Sequence, residues 1–390
     1  MLLFQARGLA GRGHEVVIEF PTDGPAPELA RAEGLRVLIG RRSRLPRSAA
    51  EAVGYFVRAP RDVLALSRRF REQRCQLVWV HSLYNAPALF AARLAGIPAV
   101  WHLHERNLAP PLNVLGTLLV RGLSSTTLAV SSFVARSFTG DVRVLHNPAM
   151  SGARLHEPPD DTHPDTRDPV RTAAARVRSD GVGAVTAGRA GAGTPALDRA
   201  AAFVRDAPFV VGYVGQFEPR KRAGDVVAAL GRLPACVALL VGDGKDVGSL
   251  EVAIERAGVG ERVLRTGFQR DVEPFYRLMD CLVVPSRNEP FGLVVLEAMA
   301  QGVPVLVSAS GALPEVAGDA ALQFPLGSTE DLSEQIEHLR ERRELRERLV
   351  RRGIRRLQAF DAEAWLDAVE ATVHQCVEAA PAAGPDGRAA

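Results

Sequence analysis

The stretch SRNEPFGLVVLEAMAQGVPVLVS, from Ser286 to Ser308, decides how this chain is read. Two glutamates, Glu289 and Glu297, stand eight positions apart in it. The residues after Phe291 are otherwise almost all apolar or small. A helix that is apolar on every side is a buried one, and a buried glutamate is rare unless something pairs with it. Glu297 therefore either reaches water or faces a polar ligand.

Outward from this stretch, short Val/Leu runs alternate with helical patterns. FVVGYVG, CVALLVG, RVLRTGF, CLVVPS and VPVLVS read as strands from Phe209 onward. Before residue 150 the strands are HEVVIEF, GLRVLIG, QLVWVHS, IPAVWHLHE, STTLAVSS and DVRVLHNP, with helices such as RDVLALSRRFREQ and YNAPALFAARLAG between them. Continuous apolar strands alternating with helices specify α/β structure with parallel sheets covered on both faces. Two such series predict two doubly wound domains, over residues 1–150 and 208–360. The stretch 151–207 is poor in large apolar residues and reads as a mobile linker or insertion. Val369, Val373 and Val377 line one face of a helix over 361–378, which should pack back on the first domain. Residues 379–390 read as a disordered tail.

Composition excludes several classes. The formal net charge of +3 on 390 residues gives no basic stripe of the kind nucleic acid requires. The four cysteines have no metal-ligand spacing and read as reduced thiols of a cytoplasmic protein. No apolar run approaches a membrane span, and MLLFQARGLA, interrupted by Arg7, is shorter than a signal-peptide core. Two arginine-rich stretches, Arg36–Arg74 and Arg340–Arg356, could meet an anionic membrane. The second is interleaved with glutamates and reads as a solvated helix face. The first, with YFVRAPRDVLALSRRFREQR, is the candidate for peripheral contact at the inner face of the membrane.

In parallel α/β sheets ligands bind outside the carboxyl ends of the strands. The turns there are QFEPRKR after the strand at 209, DGKD after the strand at 236, and PSRNEPFG after the strand at 281. They bring together Gly215, Gly242, Gly244 and Gly292 with Arg220, Lys221, Arg222 and Glu289. Glycines and a cation at helix amino ends suit a phosphate group. A single Gly-Asp-Gly or basic triplet is more often an ordinary turn or a solvated surface. The convergence of the three turns makes the site.

GYVGQFEPRKR, LLVGDG, the run from Gly267 to Ser308 and GALPEVAGDAALQFPLGSTEDLSEQI resemble, in order and spacing, the donor half of the retaining glycosyltransferases of family 4. ARGLAGRGHEV, AARLAGIPAVWHLHE, LAVSSFVA and VLHNP resemble the first half of the same family more loosely. The resemblance implies the GT-B architecture, two facing Rossmann-like domains with a cleft between them. It implies a nucleotide-diphosphate sugar as donor, an acceptor hydroxyl not specified by the motifs, and no cofactor or metal. Glu297 would accept from the ribose hydroxyls. Glu289 would contact the donor sugar, with the backbone amides of Phe291, Gly292 and Leu293 aimed at the sugar and diphosphate. Lys221 would neutralise the leaving diphosphate, with Gly215, Gln216, Arg220 and Gly242 around it. His104 matches the histidine that reaches the reacting carbon; read alone it is a core histidine.

Two departures stand out. Gln216 occupies a position where the family often has an arginine. Family members also begin with a strand and a glycine-rich turn ahead of the helix that ends in RGHEV, whereas Met1 already lies in that helix. The resemblance predicts a missing central strand, with neighbouring strands left unpaired or the sheet closed up, and a chain that is unstable or nearly inactive as written. The leading reading is an active retaining transferase. The alternatives are a GT-B protein that binds a nucleotide sugar or partner without turnover, and a sugar-nucleotide epimerase, which the paired glutamates disfavour.

Overall fold

The computed structural model describes residues 1–40, 49–82, 85–105, 122–150 and 194–380, with the side chains of 49–57 left aside. The chain forms two compact units, Met1–Asn147 with Ala362–Ala390, and Pro148–Asp361. The stretch 151–193 and the tail from 381 fall outside the described residues, so the linker and tail readings there are not addressed.

In the first unit, α1 (Leu2–Gly11) leads into β1 (Val17–Phe20), which pairs in parallel with β2 (Arg36–Ile39). Next come α2 (Ala49–Glu72), β3 (Val78–His81), α3 (Ala86–Ala95), β4 (Ala99–Leu103), β5 (Thr126–Ala129) and β6 (Arg143–Val144). The last four strands form a second parallel sheet in the order β3-β4-β5-β6. The doubly wound sheet is thus in two pieces. The gap between them has not closed up, and among the described residues no other segment fills it. The C-terminal helix Ala362–Glu378 packs on α1. Leu366 lies against Gly8, and Arg12 bridges to Glu363, Asp367 and Glu370.

The second unit opens with α4 (Pro195–Val204), inside the stretch read from sequence as linker. Thr194 caps this helix by accepting from the Leu197 amide. Leu197, Ala200, Ala201 and Val204 are buried at helical spacing. Two of these four are alanines, which carry little hydrophobic signal in the sequence. The strands β7 (Phe209–Val214), β8 (Cys236–Val241), β9 (Val263–Arg265), β10 (Cys281–Val284), β11 (Val305–Ser308) and β12 (Ala321–Phe324) form one parallel sheet ordered β12-β11-β10-β7-β8-β9. Numbered from β7, this is the doubly wound order 3-2-1-4-5-6. β12 is a strand that the sequence reading did not single out. Helices α5 (Ala223–Leu230), α6 (Val247–Ala257), α7 (Leu293–Ala300), α8 (Thr329–Glu341) and α9 (Arg343–Leu357) accompany the sheet. Its core runs through Val211, Val227, Leu240, Val283, Leu306 and Ile336, all buried.

The order reverses between β7 and β10, and at such a switch point the two chains leave the sheet in opposite directions and open a crevice. The turns there are stitched together. Gly215 N donates to Val241 O at 3.0 Å, Phe217 N to Asp243 O at 2.9 Å, and Arg287 N to Arg220 O at 2.7 Å. Gly242, at φ +147°, comes so close that a Cβ there would lie 1.9 Å from Gly215 O. No side chain fits. We expect Gly242→Ala to lower stability by roughly 2 kcal/mol or more, as forced strain at a packed turn does. Urea unfolding followed through the second unit measures it, and a wild-type midpoint would contradict the close approach.

Candidate donor-phosphate site of the second unit

The turn after β7 presents Arg220, Lys221 and Arg222, and the turn after β10 presents Glu289. Lys221 Nζ donates to Glu289 Oε2 at 2.7 Å. Arg220 lies 3.5 Å from the same oxygen and bonds Glu218 at 3.0 Å. Glu289 is 7% exposed, so this carboxylate is held away from water by two cations. Arg222 turns away and clasps Asp225 with two bonds, 2.7 and 2.9 Å, in the first turn of α5. Of the basic triplet, Arg222 thus pairs with Asp225, and Lys221 and Arg220 face the Glu289 carboxylate, Lys221 the nearer.

The backbone around this pair is strained. Arg222 at φ +56° and Asn288 at φ +52° adopt the left-handed conformation without being glycine. Each sits next to one member of the pair, and such strain persists only where the surroundings over-determine it. The surroundings here are the turn after β11. Ser310 Oγ accepts from Asn288 N at 2.9 Å, and Ala312 N donates to Glu289 O at 2.8 Å. Gly311 lets the two segments touch, since a Cβ on it would lie 2.4 Å from Glu289 N. Sequence reading quoted this turn within a motif but gave it no role; the GALPE glycine was the available signal.

Phe291 is buried against Phe360, 5.8 Å between ring centres and nearly perpendicular. It anchors Gly292 at the amino end of α7. No side chain caps that end and no acidic residue lies in its first turn. The amides that begin with Leu293 therefore leave an anion-attracting terminus beside Lys221 and Glu289. Gln216 is exposed, and its carbonyl accepts from Tyr213 Oη at 3.1 Å. One turn into α7, Glu297 is half-buried and Tyr276 Oη donates to its Oε2 at 2.8 Å. Burial raises the Glu297 carboxyl above its ordinary range, and the tyrosine bond opposes that. Tyr276 was not found from sequence because it comes from another element, 21 residues earlier.

His104 belongs to the first unit, just past the carboxyl end of β4. Its ring stacks on His81 at 5.2 Å, and His81 Nδ1 and His104 Nε2 are hydrogen-bonded at 3.0 Å. His102, fully buried, lies 4.4 Å from His104 between ring centres, so three imidazoles share one sheet face. The register that sets His81 opposite His102 produces this cluster. Sequence spacing showed only the His102–His104 alternation. Burial, then the neighbouring charges, pushes His81 down to about 3 and His104 down to about 4, with His102 well below its ordinary value. All three are neutral at pH 7. A histidine whose folded pKa is depressed binds its proton more tightly in the unfolded chain. Folding stability is then fully present above about 6.5 and falls as pH drops through that value toward 4. The thermal transition of the first unit should fall between pH 7 and 5, and His81→Gln should shrink that drop. An unchanged transition at pH 5 would contradict the buried neutral cluster.

Comparisons with known proteins bear on the family of the chain. Residues 197–356 match the family model described as glycosyl transferases group 1, and residues 2–149 match the model for glycosyltransferase family 4. The chain is 36% identical over 167 residues to the lipopolysaccharide core biosynthesis glycosyltransferase LpsE of Rhizobium meliloti, a match covering 42% of this chain and 48% of that protein. The chain thus spans about half the length of that curated relative. It is 31% identical over 365 residues to the 2-deoxystreptamine N-acetyl-D-glucosaminyltransferase of Streptomyces fradiae, covering 85% and 79%. Among solved structures, Anabaena HepE in complex with UDP and glucose superposes with a TM-score of 0.72 at 20% identity, covering 96% of this chain and 94% of that one, a likeness of fold. With both halves matched by their models and a relative aligned over most of its length, the chain belongs to the GT-B glycosyltransferases of group 1 and family 4.

Proposed function

We propose that this chain is a retaining glycosyltransferase that moves a sugar from a nucleotide-diphosphate sugar to an acceptor hydroxyl. The observation that carries the reading is the Lys221–Glu289 ion pair at the β7/β10 switch point, beside the uncapped amino end of α7. A diphosphate leaving a sugar develops charge at its bridging oxygen, and preorganised donors aimed there lower the barrier most. Lys221 supplies the cation, Arg220 a second one, and the α7 amides a row of N–H donors. This set meets the charge without a metal ion. Glu289 holds Lys221 in place and contacts the donor sugar. Tyr276 takes one oxygen of Glu297 and leaves the other for a ribose hydroxyl. His104, kept neutral by its burial, contacts the reacting sugar as a hydrogen-bonding imidazole. Retention needs the acceptor hydroxyl held on the face the diphosphate leaves, which is a matter of positioning. The two-carboxylate hydrolase scheme is not assigned to Glu289 and Glu297.

A cytoplasmic setting suits the four free thiols, Cys75, Cys236, Cys281 and Cys376. No helix among the described residues is long and apolar enough to cross a membrane. An anionic membrane carrying the acceptor would meet Arg58, Arg61, Arg68 and Arg71, which are exposed on α2. One observation favours a second reading, a protein that binds a nucleotide sugar without turnover: the sheet of the first unit is split.

A panel of nucleotide sugars, assayed for transfer and for the anomeric configuration of the product in the presence of EDTA, tests the proposal. Transfer with retention is expected; binding without transfer supports the second reading, and inversion or a strict metal requirement contradicts the first. Lys221→Ala should cut turnover by roughly 10²–10³-fold, the loss typical of one removed charge stabiliser. Wild-type turnover in a folded Lys221→Ala protein would remove Lys221 from the mechanism. Glu297→Gln should weaken nucleotide binding while leaving the thermal transition at pH 7 unchanged or higher. A carboxyl whose folded pKa is raised costs stability as pH climbs through that range, and the amide does not. Unfolding of Glu297→Gln with unchanged affinity in the folded fraction would make Glu297 structural.

A further inference from the structure

Parallel pairing sets His81 of β3 opposite His102 of β4, and His104 follows two residues later on the same side of the sheet. One ring nitrogen from each of the three lies within 4.8 Å of the other two. A neutral imidazole offers one N–H and one lone pair. The 3.0 Å bond between His81 Nδ1 and His104 Nε2 uses one of each. His102 uses neither. It is 0% exposed, and both of its ring nitrogens are buried without a hydrogen-bond partner. The Leu145 backbone is near enough to act on this ring, but no bond of ordinary geometry forms. Buried polar atoms in folded proteins are nearly always satisfied, so a histidine bare at both nitrogens calls for a specific cause.

The donor set narrows the cause. Three imidazole nitrogens suit zinc and its neighbours among the divalent transition metals. Magnesium and calcium take oxygen ligands instead. Two nitrogens 3.0 Å apart can both reach one ion at about 2.0–2.1 Å, the zinc–imidazole distance. Two nitrogens on one zinc stand at most about 4.2 Å apart, against the 4.8 Å span of the cluster. A modest turn of the rings closes that difference. His81 and His104 are only half-buried, and His81 lines a cleft together with Gln5 and Asn85, which gives an ion a path inward.

We infer that His81, His102 and His104 form a binding site for a zinc-class divalent ion. The ion takes the place of the N–H between His81 and His104, and that proton moves to the other nitrogen of the same ring. No net proton is released. Three protein ligands leave a fourth position for water or a small anion. An ion held there engages the Nε2 of His104 and withdraws that ring from the donor sugar, so it inhibits transfer. The inhibition rests on the contact proposed above for His104; the binding does not. It is also separate from the metal-free handling of the diphosphate at Lys221.

The test uses the full chain, stripped with EDTA and dialysed. It is titrated with zinc by calorimetry and with cobalt(II) by visible absorption. Binding of a single ion is expected, with the visible band of nitrogen-ligated cobalt and no thiolate charge-transfer band. His81→Gln and, independently, His102→Phe should each weaken binding at least about tenfold, which the loss of even an outer-shell partner already costs. If His102→Phe does not fold, His81→Gln decides. Among the described residues a second group of possible ligands, His14, Glu370 and His374, serves as the control. His374→Ala should leave the affinity unchanged, and magnesium should not compete. Absence of zinc binding, wild-type affinity in His81→Gln, loss of affinity in His374→Ala, competition by magnesium or a thiolate band would each overturn the site. In the transfer assay zinc should lower turnover and EDTA should restore it. Zinc held by the cluster with transfer undiminished would overturn the inhibition and the His104 contact beneath it, while the binding data uphold the site.

Discussion

A carboxylate buried at the carboxyl edge of a parallel sheet needs a cation, and the Lys221–Glu289 pair meets that need at the one place where the second unit's strand order reverses. Much of the local architecture serves it. The turn after β8 passes under Gly215 only because Gly242 has no side chain. The turn after β11 grips Glu289 through Ser310 and Ala312. Arg222 and Asn288 hold left-handed backbone on either side. Arg220, 3.5 Å from the same Glu289 oxygen, still faces that carboxylate when Lys221 is removed, so loss of Lys221 does not leave a bare buried charge. A diphosphate would find the cation already placed and an uncapped helix end beside it.

The second unit was legible in the sequence because its strands are continuous Val/Leu runs and its glycines stand at strand ends. The motif order pointed to the switch point, and Lys221, Glu289 and Glu297 all fall near it. What was not legible is what comes from a distance. The Tyr276–Glu297 bond and the grip of the Ser310–Ala312 turn join elements that nothing in a linear pattern brings together. The His81–His102 register is of the same kind: two alternations, each ordinary alone, placed side by side by strand pairing. Helix α4 escaped because its buried stripe includes two alanines, which carry little hydrophobic signal.

Among the described residues the strands of the first unit form two separate parallel sheets. Within those residues β1 pairs only with β2 and β3 only with β4, and the buried Gln5 Oε1 has no hydrogen-bond partner. The histidine cluster sits where the ends of β3 and β4 meet, with His81 opposite His102. Family membership rests on both halves of the chain.

The most direct test of the account is a calorimetric titration of the wild type and Lys221→Ala with a nucleoside diphosphate and with the corresponding nucleoside, for whichever base binds in the panel. If Lys221 holds the leaving diphosphate, the substitution weakens the diphosphate at least about tenfold, the effect of losing one charge-assisted hydrogen bond, and leaves the nucleoside unchanged. Equal affinity of the two proteins for the diphosphate, with Lys221→Ala folded as the wild type, would contradict it.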